Sequence, residues 1–449
     1  MMFNCQQKNK ILKSQFLLLV ACCAYKLLLE IIYSISIVKL FAYSRYENNP
    51  IVMNVMIGWF CFFILLAVLP KKDFQISSFA NYIIFFISII PNIILYEFGN
   101  CGLRIHGIIC GAFLLQCLIL RMNIFDDIHF KKIRRVKYDN QLFQKIFWCI
   151  FGIIAVCIVA LFGMPDLNHI GLDNISLVRA NGNYGELVSI SLTFFGKIII
   201  PVTVAVAIKD RKWAILLIAL MLQGYIYSVT GVKTYLFNVV IVILYMLYWS
   251  KNQIRYITCG IGTLTLVAYL GYLITGKVII IGIIPTRFLF LPAQIKIAYF
   301  DFFSRHPFLW YSENTIGKIL GLDTVYDESI KNVIGRIYFG KPEMWTNTGY
   351  VADAYSNGGV VNVIVIVILL SLILKIFDHL ISGRVNVFLA NALVMLFVIS
   401  LNDGGLIYVM GTGGMLVALL LFVFIDFDNS KEPDLLLNLV VKKIKRKRV

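Results

Sequence analysis

The chain alternates between long apolar runs and shorter polar connections over most of its length. A run of about 20 apolar residues with few charges is long enough to cross a bilayer as a helix. The runs that meet this description predict spans at 15–38, 51–69, 79–97, 103–121, 146–164, 188–208, 213–229, 235–249, 256–276, 357–375, 386–401 and 406–425. The pattern therefore predicts an all-α polytopic membrane protein with about 12 transmembrane helices, forming a single membrane domain over 1–449.

Two connections are expected to carry function. The segment 277–356 is a large external loop between the ninth and tenth predicted spans, and 165–187 is a smaller loop on the same side. Within the larger loop, 293–306 follows Pro292 and mixes apolar with charged positions, which predicts a helix lying in the membrane interface. Long ordered loops are usually functional. The two loops are therefore expected to cover a cavity that faces outward.

The composition agrees with a membrane protein and excludes a soluble one. The chain has 449 residues, of which 60% are hydrophobic and 14% are charged, and its mean hydropathy is +0.83. A soluble fold could not bury this much apolar surface. The first apolar run, at about 14–38, is too long for a signal-peptide core and lacks a small-residue cleavage site, so we interpret it as a retained span.

The net charge of +17 is explained by membrane orientation rather than by a nucleic-acid partner. With the N-terminus inside, the cytoplasmic segments carry 26 Lys and Arg residues and the outer segments carry 13. This excess follows the positive-inside rule and places both termini in the cytoplasm. The basic clusters at 131–137 and 442–448 are then orientation signals, with a site for anionic lipid as the alternative.

The sequence lacks the motifs of metal, cofactor and nucleotide sites. The ten Cys residues lie almost all inside apolar runs, with no CxxC pair and no Cys/His cluster along the chain, so we interpret them as core residues. There is no P-loop, no credible dinucleotide fingerprint and no HExxH motif. We therefore expect no metal and no cofactor, and the energy for any chemistry has to come from the substrate or from a gradient.

Two cations are the first candidates for binding an anionic substrate. Arg287 stands alone in the apolar stretch 279–295, where it either snorkels to lipid headgroups or binds pyrophosphate, whose oxygens a guanidinium contacts bidentately. Lys233 lies at a tight, Gly-containing turn between two short predicted spans. It either snorkels from a helix end or contacts pyrophosphate or a sugar.

Other charged residues of the outer loops are weaker candidates. Asp301 precedes Arg305 by four residues, so an ordinary ion pair is the alternative to substrate binding by Arg305. The neighbouring His306 could accept a proton at neutral pH, although a surface histidine is often incidental. Arg179 and Arg336 are candidates for substrate binding, with loop solubility as the alternative.

Polar side chains crowd the approach to the tenth predicted span. They are Asn347, Tyr350, Asp353, Tyr355 and Asn357, and Gly358 and Gly359 follow them. At 100° per residue, Tyr350, Asp353 and Asn357 lie within about 60° on one face of a helix. The carboxylate of that face could orient sugar hydroxyls or take a proton, with a capping or loop-packing role as the alternative. The two glycines would let another backbone or a ligand approach closely.

Three stretches together give the chain a resemblance to a known family. They are "TGVKTYLFN" at 230–238, "RFLFLPAQIKIAYFDFFSRHP" at 287–307 and "NTGYVADAYSNGGVVNVIVIVILLSLIL" at 347–374. In these stretches, and in its layout of about twelve spans with a late external loop, the chain resembles the O-antigen polymerases (Wzy-type) of bacterial envelopes. The isoleucine-, phenylalanine- and lysine-rich composition is also typical of proteins from surface-polysaccharide gene clusters.

The resemblance implies a glycosyltransferase of the bacterial inner membrane with a fold like that of the C-type glycosyltransferases. Such enzymes transfer a growing glycan from undecaprenyl pyrophosphate to an incoming lipid-linked repeat unit on the periplasmic face, without a metal. By resemblance, Arg287 would hold the pyrophosphate, Lys233 would stand at a cationic position after a glycine, and Asp353 would be the acidic residue before Gly-Gly. The chain lacks the clear twin Arg-rich loop repeats of some members.

The implied partners are the undecaprenyl-pyrophosphate-linked oligosaccharide, membrane lipids, a chain-length regulator and a flippase. Two other functions stay open. A ligase with the same fold would move the glycan to a lipid A core, and a flippase or transporter would move the lipid-linked unit across the membrane. A transporter is expected to have charges along a central path and inverted repeats. This chain instead concentrates its candidate charges at the predicted outer face.

Overall fold

The computed structural model describes residues 2–72, 75–122, 136–137, 141–163, 186–248, 253–381 and 387–426. In these ranges the chain is helical, apart from the two-residue strands β1 (Val136–Lys137) and β2 (Ile425–Asp426), which pair in parallel. The first ten helices are α1 (Met2–Ile32), α2 (Val38–Leu40), α3 (Val52–Val68), α4 (Ile76–Ile84), α5 (Ile90–Glu97), α6 (Leu103–Arg121), α7 (Gln141–Phe162), α8 (Glu186–Phe194), α9 (Ile200–Lys209) and α10 (Trp213–Thr230).

The second half of the chain continues the same pattern of helices. They are α11 (Lys233–Tyr248), α12 (Gln253–Thr275), α13 (Val278–Ile281), α14 (Leu291–Phe303), α15 (Thr315–Leu320), α16 (Ile330–Phe339), α17 (Tyr350–Ile381), α18 (Val387–Ser400), α19 (Leu406–Met410) and α20 (Met415–Phe424). Four π-helical segments join neighbouring helices at Tyr33–Ile37, Phe85–Ile89, Phe195–Ile199 and Gly282–Phe290, and a short 3₁₀ helix covers Ala42–Ser44.

Eight of the described helical segments are long and apolar enough to cross a membrane. They are Gln15–Leu40, Ile76–Glu97, Leu103–Arg121, Ser191–Lys209, Trp213–Thr230, Gln253–Thr275, Val278–Phe303 and Tyr350–Leu380. Shorter apolar helices cover Val52–Val68, Phe147–Phe162, Lys233–Leu247, Leu389–Ser400 and Met415–Phe424. The protein is therefore a multi-pass, all-α membrane protein.

Within the described residues every predicted span coincides with helix, but the last one is interrupted. The predicted segment 406–425 forms α19 and α20, which are separated by a turn at 411–414. Gly414 has a φ of 88°, a left-handed conformation that suits glycine. The side chains of Ile198 and Phe194 lie against Gly414, so a larger residue would not fit there.

The segment Val278–Phe303 differs from the sequence prediction. The predicted loop begins at 277 and contains an interfacial helix at 293–306, whereas the structure forms one helical run from α13 through the π-helical segment to α14. Pro285 lies inside the π-helical segment, where its missing N–H would interrupt a regular α-helix. Pro292 is tolerated because it lies in the first turn of α14.

The chain divides into two compact units. Unit 1 comprises Met1–Asn123, Lys251–Leu374 and Val398–Tyr408, and unit 2 comprises Ile124–Ser250, Lys375–Phe397 and Val409–Val449. Each unit collects helices that are distant in sequence.

Three connections of unit 1 meet at one end of it, which we call the loop end. The connection after α2 bonds to the α5–α6 turn, because the Glu47 N–H donates to Asn100 Oδ1 at 2.9 Å. The same connection contacts the segment between α14 and α17, since Arg45 donates to the Ile337 carbonyl at 3.1 Å. Lys341 also lies 3.9 Å from the ring centroid of Tyr43.

Both ends of Val278–Phe303 lie near this loop end. Gly282 is close to the ring of Phe41, which follows α2. Near the other end, Asp301 accepts a hydrogen bond from Tyr338 in α16 at 2.7 Å. The segment is thus apolar and long, yet the contacts near its two ends both lie at the loop end of unit 1.

The interior of unit 1 is built around Ile76–Glu97, which is buried along its whole length. Lys26 forms the ion pair with Glu30 that their i,i+4 spacing predicts, and it also binds Glu97 at 2.7 Å. Its ammonium lies 4.0 Å from the ring centroid of Trp59. Because a buried charge is tolerated only when it is paired, this cluster ties α1, α3 and α5 together. Gly58 leaves the room that the Glu97 side chain fills.

Unit 2 is held in part by a buried amide. Gln223 on α10 donates to the carbonyls of Gly196 at 3.1 Å and Tyr235 at 2.7 Å. The Tyr235 ring lies directly over Gly196, where a side chain would collide with it. The tight turn expected before Lys233 is present, because Gly231 ends α10 with a φ of 63°. Lys233 begins α11 and is half-buried.

Candidate functional site

The helix α17 is broken at Gly358 and Gly359. Gly359 has φ 66° and ψ −156°, a combination that is almost confined to glycine. The Phe308 ring lies against it, and a Cβ at this position would come within 3.0 Å of that ring. A close approach therefore occurs at Gly359, but a side chain makes it rather than the expected backbone or ligand. The break leaves a short helix at 350–357 ahead of the apolar part of α17.

A backbone N–H and a side-chain amide donate to carbonyls that the break in the helix leaves without a partner. The Leu309 N–H donates to the Ser356 carbonyl at 2.9 Å, and the Asn362 amide donates to the Ala354 carbonyl at 2.7 Å. Tyr311, which has a left-handed φ of 64°, donates its hydroxyl to Asn362 Oδ1 at 2.9 Å. The short helix is thus fixed in place, since bonded backbone groups are stable in an apolar setting.

Three of the predicted site residues hold this short helix. Tyr350 is buried and donates to Gln116 Oε1 at 2.8 Å. Tyr355 is buried with its ring centroid 4.4 Å from that of Phe300. Asn357 accepts the Tyr311 N–H at 2.7 Å and donates to the Asp353 carbonyl at 2.8 Å. Of the three residues predicted to share one helix face, Tyr350 and Asn357 are therefore bonded to protein, and only Asp353 is not.

Asp353 differs from these neighbours because its carboxylate has no fixed partner. The side chain is half-buried, and among the described residues it receives no hydrogen bond and forms no ion pair. Gly405 lies directly beside the carboxylate, so a Cβ there would overlap it. The backbone N–H of Asp353 donates to the Gly349 carbonyl at 2.9 Å. The backbone of Asp353 is fixed by this bond, while its carboxylate oxygens can accept hydrogen bonds from a ligand.

Charged and phenolic groups interact electrostatically with this carboxylate. We call Asp353, Lys331, Glu313, Tyr299 and Tyr311 the Asp353 cluster. Burial lowers the pKa of Lys331, and the negative charges of Asp353 and Glu313 oppose that lowering. Burial also raises the pKa of Tyr311, and Asp353 raises it further. These mutual effects require that the groups share one electrostatic environment.

Glu313 positions Lys331 through the start of α16. Its carboxylate accepts the Ile330 N–H at 2.9 Å and the Ser329 hydroxyl at 3.2 Å, so it caps the helix from a distant loop. Burial raises the pKa of Glu313, while these hydrogen bonds and the charge of Lys331 lower it. The Lys331 ammonium lies 5.0 Å from the ring centroid of Trp345. A cation is thereby held near Asp353.

A second lysine lies behind the first turn of α17. Lys296 is buried and donates to Ser88 Oγ at 2.5 Å and to Asn402 Oδ1 at 2.6 Å. A Cβ at Gly349 would come within 2.7 Å of the Lys296 side chain. Lys296 therefore supports the backbone that carries Asp353.

Sequence reasoning missed Lys331, Lys296 and Glu313. A lysine in an apolar helix is a detectable signal for Lys296, since buried lysines need acceptors. The pattern around Lys331 and Glu313 offers no comparable signal, because their meeting depends on how α16 packs.

Arg287 lies in the π-helical segment and is exposed. Within the described parts of the chain it has no hydrogen bond and no ion pair. Its neighbour Phe288 is anchored, because the Phe288 carbonyl accepts the Asn402 amide at 3.0 Å. The guanidinium is therefore free to bind an anion or a headgroup, although no contact joins Arg287 to Asp353.

The other candidates of the large loop are exposed. Arg305 forms the expected ion pair with Asp301 at 2.8 Å. His306 contacts the Phe302 carbonyl through Nδ1 at 2.8 Å, and the two rings stack with centroids 4.0 Å apart. Arg336 pairs with Glu328 at 3.2 Å. None of these contacts brings Arg305, His306 or Arg336 to Asp353. Asn347 is also exposed.

Two predicted residues lie outside unit 1. Lys233 belongs to unit 2. Arg179 and most of the smaller loop 165–187 lie outside the described residues, as does the basic cluster at 442–448.

A cavity of about 540 Å³ opens at the loop end of unit 1. Its polar lining comes from the α2–α3 connection, the α5–α6 turn and the helices α3, α14 and α16, and includes Arg45, Asn54, Asn100, Gln294, Asp301 and Tyr338. The Gln294 Oε1 atom is buried without a hydrogen-bond partner. The cavity has the size of a small-molecule site, but Asp353 and Arg287 do not line it.

The Asp353 cluster is chemically suited to proton transfer. A carboxylate that receives no hydrogen bond from any described residue can accept a proton from a bound hydroxyl. No family model, no curated protein and no solved structure matches the chain.

Proposed function

We propose that the protein is a glycosyltransferase that polymerises a bacterial surface polysaccharide. The donor is a growing glycan on undecaprenyl pyrophosphate, and the acceptor is an incoming lipid-linked repeat unit. The proposal joins the resemblance of the three sequence stretches to the geometry of the Asp353 cluster. The energy comes from cleavage of the glycosyl–pyrophosphate bond, so no nucleotide is needed.

The observation that carries the proposal is the free carboxylate of Asp353. Glycosyl transfer needs a base for the acceptor hydroxyl, and a general base contributes about 10²–10⁴-fold to a rate. Asp353 has the required features, because its backbone is fixed, its carboxylate is partly exposed and no protein donor occupies it. His306 is the second candidate base, since it is exposed and stacked on Phe302.

The leaving pyrophosphate needs cations beside it, because negative charge grows on it in the transition state. Arg287 is proposed for this role, since it is exposed on an apolar segment and forms no ion pair with any described residue. Guanidinium groups bind phosphate oxygens bidentately and keep their charge when desolvated. Further substrate contacts are proposed for Lys233, Arg179, Arg305, Arg336 and Asn347.

The three remaining candidates act on the substrate through the short helix. Tyr350, Tyr355 and Asn357 are bonded to or packed against protein, so they are proposed to position Asp353 rather than to touch the glycan.

The proposed site lies on the periplasmic face of the inner membrane. We propose twelve spans with both termini in the cytoplasm and 277–356 outside. The contacts of Val278–Phe303 support this topology, since both ends of the segment lie near the loop end of unit 1. If both ends of Val278–Phe303 lie on the same side of the membrane, the residues that follow it stay on that side. The proposed partners are membrane lipids, a chain-length regulator and a flippase.

The test is a gel of surface polysaccharide from a strain that lacks the gene and carries variants on a plasmid. We expect Asp353→Asn and Arg287→Ala to collapse the ladder of chain lengths to a single repeat unit on the lipid A core. Lys318→Ala is the matched control, because Lys318 is exposed in the same loop. The amount of protein in the membrane is measured for every variant.

The outcomes separate the rival functions. A normal ladder with Asp353→Asn would show that the carboxylate has only a positioning role, and a normal ladder with Arg287→Ala would remove the pyrophosphate role from that residue. A strain lacking the gene that makes no capped core at all would contradict the polymerase, because it indicates a ligase or a flippase.

A further inference from the structure

Two helices of unit 1 bring together a set of soft ligands that the proposed function does not use. Cys61 lies on α3, and His106 and Cys110 lie four residues apart on one face of α6. Their ligand atoms all lie within 4.8 Å of one another. The four-residue spacing of His106 and Cys110 is visible in the sequence, but their meeting with Cys61 is not, because Cys61 lies on another helix.

We propose that Cys61, His106 and Cys110 form a Zn²⁺ site. Thiolate and imidazole are the ligands that zinc prefers, and bonds of about 2.3 Å to sulfur and about 2.1 Å to nitrogen place tetrahedral ligands roughly 3.6 Å apart. The Cys110 sulfur lies 3.7 Å from His106 Nε2 and 3.8 Å from Nδ1. Two ligands are therefore already at the spacing that the metal requires.

The third ligand is also in place. The sulfur of Cys61 lies within 4.8 Å of the Cys110 sulfur and of the His106 ligand atom. The half-buried Cys61 faces the two ligands of α6 from the neighbouring helix. A small inward rotation of the side chains would suffice to bring all three atoms onto one ion.

The charge of the assembly favours zinc. Two thiolates neutralise Zn²⁺ and the imidazole stays neutral, so the complete site has no net charge in its apolar surroundings. A monovalent ion such as Cu⁺ on the same thiolates would leave one negative charge buried, which is costly. Binding releases the two thiol protons to solvent.

The surroundings fix the imidazole, and a cavity reaches the start of its helix. The His106 ring is buried and stacks on Tyr96, with centroids 4.1 Å apart and planes 12° apart. The 540 Å³ cavity is lined by Cys101, Gly102 and Ile105, so it reaches the first turn of α6. Three protein ligands leave one position for water, as in zinc sites that are not fully closed.

The alternative is that these thiols are only core residues. Cys117 illustrates that state on the same helix, since its sulfur accepts a hydrogen bond from Asn81 at 3.2 Å. Cys117 is not part of the cluster. It therefore provides a matched control.

The experiment uses the full-length protein in detergent, reduced and stripped of metal with a chelator. Zn²⁺ alone is added, the excess is removed, and bound zinc is measured by mass spectrometry of the elements. Co²⁺ alone is used in parallel, because thiolate ligands give it a charge-transfer band. We expect about one tightly bound ion per chain and the thiolate band of Co²⁺.

The variants assign the ion to this cluster. Cys61→Ser, His106→Gln and Cys110→Ser are each expected to weaken zinc binding by at least about 100-fold, and Cys117→Ser is expected to bind normally. A second measurement uses the unaltered protein, so that it does not depend on whether the variants fold. Zn²⁺ should protect Cys61 and Cys110 from alkylation, as mapped on peptides.

Several results would overturn the site. They are no zinc or cobalt binding by the unaltered protein, equal binding by Cys110→Ser, or alkylation of Cys61 and Cys110 that Zn²⁺ does not change. A Cys61–Cys110 disulfide in the protein as isolated from the membrane would also contradict it, and binding of Cu⁺ without Zn²⁺ would refute the choice of metal.

Discussion

Two carboxylates of unit 1 show how the same side chain can serve structure or chemistry. Glu97 is fully buried, and Lys26 neutralises it at 2.7 Å. Asp353 is half-buried, and no described residue donates a hydrogen bond to its carboxylate. A buried polar group without a partner costs free energy, so a fold keeps one where a ligand supplies the missing bonds. This contrast makes Asp353 the better candidate for function.

Gly405 gives a test of the carboxylate position that leaves Asp353 itself unchanged. A methyl group at Gly405 would overlap the carboxylate and force it to rotate. We expect Gly405→Ala to lower polymer synthesis by about 10²-fold, because small displacements of a catalytic group are costly. The measurement is the polysaccharide ladder together with the thermal midpoint of the purified protein.

The control for this variant is Gly111→Ala, since Gly111 is exposed on α6 with open space around its Cα. A Gly405→Ala protein that polymerises normally would show that the carboxylate does not need its present position. A large loss of stability would instead indicate a packing role for Gly405.

Glu313 gives the fold a dependence on pH that has a definite sign. Burial raises its pKa in the folded protein above the usual 4.5. Its stabilising contribution is therefore fully present below the unfolded pKa and is lost as the pH rises through the folded pKa. We expect the thermal midpoint of the unaltered protein, relative to Glu313→Gln, to rise as the pH falls from neutral towards 4.5.

Glu313→Gln keeps an oxygen that can accept the Ile330 N–H, so we expect it to fold and to lose only this pH dependence. Glu343→Gln is the control, because Glu343 is exposed in the same loop. An identical pH profile for Glu313→Gln and the unaltered protein would contradict the effect of burial on Glu313.

At the scale of single elements, the break in α17 depends on one glycine. Gly359 has φ 66° and ψ −156°, and the Phe308 ring occupies the space of a side chain. We expect Gly359→Ala to destabilise the protein by about 1–3 kcal/mol, because a residue with a Cβ is strained in this conformation. Denaturation in detergent measures the effect. Gly111→Ala should be neutral or stabilising, since alanine favours helix.

The helices could be predicted from the sequence more fully than their contacts. Apolar runs fix where helices form, and within the described residues every predicted span coincides with helix. The helical face of Tyr350, Asp353 and Asn357 follows from geometry alone, but the angle does not say which neighbour each side chain meets. Tyr350 bonds to Gln116 and Asn357 bonds to Tyr311, so only Asp353 keeps a side chain without a hydrogen bond from a described residue.

The pairings between distant residues could not be predicted, because they depend on packing. Glu97 joins Lys26 from another helix, and Cys61 meets His106 and Cys110 across α3 and α6. The segment Val278–Phe303 was predicted only in part. A helix was expected at 293–306, whereas the helical run begins at Val278, because a π-helical segment accommodates Pro285.

For the whole molecule, the sidedness of the loop end decides whether the proposed chemistry is possible. The excess of Lys and Arg in alternate connections predicts that the large loop lies outside. The apolar length of Val278–Phe303 would reverse that placement if this segment crossed the membrane. Its contacts at Phe41 and Tyr338 argue against crossing, because both lie at the loop end of unit 1.

Labelling of single positions in spheroplasts tests this topology. We expect Glu343→Cys to react with a membrane-impermeant maleimide on intact spheroplasts, because Glu343 is exposed in the large loop. Lys212→Cys, in the turn between α9 and α10, should react only after permeabilisation, and the unaltered protein gives the background from native cysteines. If Glu343→Cys reacts only after permeabilisation, Val278–Phe303 crosses the membrane. Asp353 and Lys331 would then face the cytoplasm, where the proposed acceptor is absent, and the polymerase would have to be abandoned.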